Sequence, residues 1–168
     1  MIRASLVCLA LSLVVTGCSK KGDGAASSSS SSAKPTESAK TAAGPTKLPK
    51  LGLSIDVPGS VEVGDAVMGE GHMLQGASIG AMQIEVAEKK KSIDDAKSDA
   101  DMYSPKDLKA DTLPDGWALT YSNTGSMGKN FFVDVQRDID GKTYHCSTTG
   151  SDAGQQAAVL AACKSLRK

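Results

Sequence analysis

Two histidines, four cysteines and six methionines carry most of the chemistry this sequence could perform. A nucleophilic hydrolase needs a serine or cysteine beside a histidine base that an acid orients. Only His72 and His145 could be that base, and no Gly-x-Ser-x-Gly turn is present. His145, between Tyr144 and Cys146, reads as a strand residue turned to solvent or to a second layer. Gly125-Ser126-Met127-Gly128-Lys129 has the wrong spacing for a phosphate loop, and Asn130 stands where that loop needs a hydroxyl. It also leads into a strand, whereas a phosphate loop leads into a helix N-terminus, so it reads as a hairpin loop. His72 with Met68, Met73 and Met82 offers imidazole and thioether ligands, a set that suits copper, and the glycine-rich stretch 69–80 could wrap an ion. The competing reading makes Met82 core filler on a strand, with Met68 and Met73 at the same core edge. Asp94, Asp95, Asp99 and Asp101 interleave with Lys89, Lys90, Lys91 and Lys97 without the offsets of a calcium loop, which marks a solvated helix face. No catalytic constellation emerges, and a non-enzymatic chain without a dissociable cofactor is expected.

The N-terminus carries a more specific signal. Arg3 precedes an apolar stretch, residues 4–16, which is shorter than the roughly twenty residues of a membrane-spanning helix. It ends in Val15-Thr16-Gly17-Cys18, which resembles the lipobox of bacterial lipoproteins. The resemblance implies a diacylglycerol on the Cys18 thiol, cleavage before Cys18 by signal peptidase II, and acylation of the new N-terminus. Two or three long acyl chains hold a protein on a membrane almost permanently, because each buried methylene contributes about 0.8 kcal/mol. In Gram-negative lipoproteins an Asp after the lipidated Cys tends to retain the protein at the inner membrane, so Ser19 implies the outer membrane in such a host. Residues 1–17 are then a removed signal, 18–46 a tether and 47–168 the folded domain. The tether contains six consecutive serines and nothing aliphatic larger than alanine, so it is expected to be disordered, with a reach of about 30 Å. Nineteen basic and nineteen acidic residues give no net charge, which argues against a nucleic-acid partner bound through a basic face. The expected partners are the membrane and an envelope protein or small ligand.

With Cys8 in the signal and Cys18 lipidated, Cys146 and Cys163 remain, and two such residues in an exported chain read as one disulfide. It closes a loop worth about 3 kcal/mol in the chain-entropy treatment. Free buried thiols, or a zinc site with His72 and His145, are the alternatives. The spacing fits no common zinc pattern, and in a strand His145 points away from Cys146.

The elements follow from periodicity. Leu51, Leu53, Ile55 and Val57 alternate into a Pro58-Gly59 turn, Val61 and Val63 suggest a short strand, and Met82, Ile84 and Val86 share one face of the next. Ser92 with Asp95 forms a capping-box signature for a helix that Ser104-Pro105 ends. Trp117, Leu119 and Tyr121 make a strand, residues 122–129 a glycine-containing loop, and Phe131, Val133 and Val135 a further strand. Asp140-Gly141 is a hairpin turn leading to Tyr144, Cys146 and Thr148 on one face. Ser151 is expected to cap a last helix whose stripe is Val159, Ala162, Cys163 and Leu166. All six aromatic residues fall between Tyr103 and Tyr144, which places the expected core there. The fold class is α+β, an antiparallel sheet packed with two helices, the last tied to the last strand by the disulfide. Through residues 51–59 and 131–166 this order is similar to PsbP/Mog1-like domains, although Val61 stands where that family often places a Trp. That resemblance implies a binding or assembly module and assigns no reaction.

Overall fold

A capped nine-residue helix shows how closely local sequence dictates structure here. In α1 (Ile93–Asp101) the Ser92 hydroxyl accepts the Asp95 N–H while the Asp95 carboxylate accepts the Ser92 N–H, so two otherwise orphaned amide groups are satisfied. The computed structural model describes residues 44–150 and 152–168. The expected signal, Cys18, residues 19–43 of the expected tether and Ser151 lie outside them.

Among the described residues nine strands precede the last helix: β1 (Thr46–Leu48), β2 (Leu53–Ile55), β3 (Glu62–Asp65), β4 (Gly71–Gly76), β5 (Gly80–Val86), then after α1 β6 (Lys106–Leu113), β7 (Gly116–Gly125), β8 (Gly128–Ile139) and β9 (Lys142–Gly150). Helix α2 (Ala153–Lys164) follows. Seven strands form one antiparallel sheet in the order β3-β4-β5-β9-β8-β7-β6, and β1 and β2 form a separate two-stranded ribbon. The arrangement is α+β.

Strand alternation divides the sheet's side chains between two faces. On one face Leu74, Met82, Ile84, Val135 and Cys146 pack with Leu48, Ile55, Val159 and Leu166 from the ribbon and α2. The Cys146–Cys163 disulfide, Cα–Cα 5.8 Å, joins β9 to α2 inside this core. Arg137 fastens the same helix. Its Nε and Nη2 each donate to Asp115 at 2.8 Å, and Nη1 donates to the Cys163 carbonyl, a cation at a helix C-terminus. The chain end is also secured, since Ser54 and Arg167 exchange backbone hydrogen bonds of 2.7 and 3.0 Å and the Arg167 guanidinium grips Asp56 with both terminal nitrogens.

The other face is smaller and aromatic. Trp117, Leu119 and Tyr121 of β7 bury against Ala96 and Ala100 of α1, with Phe132 beside them. The aromatic residues thus do not form the main core, as their clustering in sequence suggested. Of the six, only Tyr144 belongs to the aliphatic core.

Several expected boundaries move. The stretch 69–80 is not a continuous loop, because it contains strand β4, in which His72 and Leu74 both point into the core. Residues 122–129 are not an extended loop: β7 and β8 pair as far as Gly125 and Gly128, leaving Ser126 and Met127 to turn. Strand β6 adds to the expected elements: in KDLKADTL only Leu108 and Leu113 are large and apolar, too few for a clear strand signal. As an edge strand paired only with β7 it buries little and draws its order from the backbone ladder. The expected strand over Leu51–Val57 shrinks to Leu53–Ile55 and pairs with β1, whose buried Thr46 had been assigned to the tether. The cap of α2 is Asp152, whose Oδ1 accepts the Gln155 N–H at 2.8 Å, rather than Ser151.

Candidate functional site

Half of the α1-side face has no helix over it, and its residues are polar. Register brings them together in rows. Trp117 lies opposite Gln136, Gln136 opposite His145, and His145 opposite Glu85. In the next row Leu119 faces Asp134, Asp134 faces Ser147 and Ser147 faces Gln83. Each row therefore begins apolar beneath α1 and turns polar beyond it.

His145 sits at the centre. Its Nε2 lies 2.7 Å from Asp134 Oδ1 and its Nδ1 3.4 Å from Glu85 Oε1, while Gln83 Nε2 donates to Glu85 Oε2 at 2.6 Å. Burial of the ring disfavours a charge there, but the Asp134 and Glu85 hydrogen bonds and charges outweigh it, so His145 holds its proton more tightly than a free imidazole. Both ring nitrogens face carboxylates. A catalytic triad needs one nitrogen on the acid and the other on the nucleophile, and this arrangement leaves none for a nucleophile.

Gln136 anchors the approach to α1. Its Oε1 accepts the Lys91 N–H and its Nε2 donates to the Lys91 carbonyl, both at 2.9 Å, and Trp117 Nε1 donates to the same carbonyl at 3.0 Å. The Lys91 backbone is thereby fixed over the sheet. Two hollows flank it. One of about 530 Å³ lies between α1 and strands β8 and β9. The other, about 340 Å³, is closed by Met68 and Gly69 from the β3–β4 turn. Lys91, Asp134 and His145 line both.

The candidate copper ligands do not converge. His72 is buried, its Nε2 accepting the Lys50 N–H and its Nδ1 donating to the Gly64 carbonyl, each at 3.1 Å, which commits both nitrogens to backbone. Met82 lies in the main core, Met68 is exposed, and Met73 alternates with His72 and so faces the opposite side of the sheet. Among the described residues no group of three or more His, Cys, Asp or Glu is arranged to hold a metal ion. His145 points away from the disulfide, as strand alternation requires, and the bridge commits Cys146 and Cys163 to each other.

The raised affinity of His145 for its proton has a measurable consequence. Such a group stabilises the fold fully below its unfolded pKa, about 6.5, and the contribution fades as pH rises through the folded value. The stability advantage of the native protein over His145→Gln is therefore expected to be greater at pH 5 than at pH 8. Urea unfolding at both pH values measures it, and an equal or larger advantage at pH 8 contradicts the assignment.

The sequence matches no protein-family model, and none of the curated proteins compared with it matches either. Among the described residues no helix is long and apolar enough to cross a membrane.

Proposed function

We propose that this chain is a lipid-anchored cell-envelope protein whose folded domain is a non-catalytic binding module, with the uncovered polar half of the sheet as its ligand surface. The observation that carries the binding reading is the unequal covering of the two sheet faces. One is sealed by α2 and the β1–β2 ribbon, while the other carries a single short helix and two adjoining hollows. Polar side chains are gathered there around His145. The engagement of both His145 nitrogens supports binding rather than catalysis. The anchor rests on Val15-Thr16-Gly17-Cys18 and its position after a short apolar stretch. The outer membrane is the proposed address in a Gram-negative host. Kinship with PsbP/Mog1-like domains is proposed on the antiparallel sheet and the late hairpin running into a C-terminal helix.

Fractionation tests the anchor. The native chain is expected to remain with membranes after a high-salt wash, and Cys18→Ser to appear in the soluble fraction. A Cys18→Ser protein that still sediments after the wash overturns the lipid anchor.

A further inference from the structure

The larger of these two hollows is lined by both aromatic and charged side chains. Phe132 stacks on Tyr121, with centroids 4.5 Å apart and planes 8° from parallel, and Tyr103 leans against Phe132 at 5.8 Å with half its surface exposed. Asp99 from α1 and Asp134 from β8, two residues along from Phe132, line the same hollow. Glu85 lies behind His145. Asp99 and Asp134 share the hollow with the ammonium of Lys91, and Asp134 also carries the hydrogen bond to His145.

Three groups facing this space, Lys91, Tyr121 and His145, respond in the same sense. Lys91 holds its proton more tightly than usual, chiefly through its 2.7 Å hydrogen bond to Asp99 and further through the charges of Asp99, Asp134 and Asp95. The Tyr121 phenol is pushed up to about 12, first by burial and then by the charges of Asp134, Tyr103 and Asp99. His145 is also drawn toward its protonated form. The hollow thus stabilises positive charge, and Lys91 shows that it already accepts one. Aromatic faces beside paired carboxylates suit a flat, weakly hydrated cation, which stacks on a ring while its N–H groups reach carboxylate oxygens.

We propose that this hollow binds a guanidinium group, stacked against Tyr103 and Phe132 and hydrogen-bonded to Asp134 and Asp99. The proposal deepens the reading of the uncovered face as a ligand surface and rests on it. Lys91 is then a built-in competitor that occupies Asp99 until the ligand arrives.

Isothermal titration calorimetry of the detergent-solubilised full chain tests this with N-acetyl-arginine methylamide and its uncharged isostere N-acetyl-citrulline methylamide. The arginine compound is expected to bind saturably and at least about tenfold more tightly than the citrulline compound. Asp134→Asn and the surface substitution Asp99→Asn should each weaken it about three- to tenfold, and Lys91→Gln should tighten it about threefold by removing the internal cation. A gain of affinity on losing a lysine is not produced by damage to the fold. Absence of saturable binding, equal affinity for the citrulline compound, or binding that survives both aspartate substitutions overturns the proposal. Equal binding of both compounds that is lost in Asp134→Asn would remove the cation while leaving the uncovered face as a binding surface. The Cys18→Ser fractionation reads the anchor independently.

Discussion

Replacing Cys146 and Cys163 together by alanine is expected to cost the domain about 3 kcal/mol and to lower its Tm by about 10–15 °C. The cost is argued from what the bridge joins. Cys146 lies on β9, the strand that unites the two halves of the sheet, and Cys163 lies in the last turn of α2, the helix that seals the aliphatic core. Without the bridge that helix depends on Val159, Ala162 and Leu166 and on the Arg137 guanidinium at its C-terminus. These contacts are enough to keep it docked, so the variant should still fold. Urea unfolding of the two proteins measures the difference. Both cysteines are completely buried, so dithiothreitol should leave the native bridge intact until denaturant is added. A variant within about 1 kcal/mol of the native protein contradicts the expected role of the bridge.

Gly116→Ala is expected to be at least as damaging, at more than about 3 kcal/mol. A Cβ at this position would lie 1.9 Å from the Gln136 carbonyl oxygen and 2.8 Å from its carbon, and both are backbone atoms of the paired strand. No rotamer relieves such an overlap, so β7 and β8 must separate where their pairing begins. The separation carries Asp115 away from Arg137 and loosens the hold on α2. Gly141→Ala is the informative contrast. There φ is +76° and nothing lies within 4 Å of the added carbon, so only backbone strain of about 1 kcal/mol is expected. Comparable losses in the two variants would show that packing against Gln136 is not the cause.

The features legible in sequence are those whose chemistry is local. Asp140 and Gly141 both adopt positive φ in the β8–β9 turn, as a two-residue hairpin demands. Ser92 and Asp95 close their capping box because both halves lie within four residues. The strand faces of Val133, Val135, Tyr144 and Cys146 followed from simple alternation. What escaped depends on distant partners. Strand β4 was hidden because its inward-facing histidine is satisfied by Lys50 and Gly64, whose positions no local pattern fixes. The site around His145 was half visible. Asp134 and Gln136 alternate with apolar residues on β8, and His145 and Ser147 do so on β9, a sign that the second face is polar. That Glu85 stands opposite His145 follows only from the β5–β9 register, and nothing near either residue encodes it.

Strand order also sets a timetable. One meander, β3 to β5, and another, β6 to β8, share no strand pairing except through β9, which is inserted between them and ends at Gly150. Arg167, next to last, then stitches onto Ser54. Neither meander can complete its inner face until β9 and α2 are at hand, because non-local pairings reward the chain only after loop closure. A ribosome-bound chain therefore stays pliable until β9 and α2 have been made.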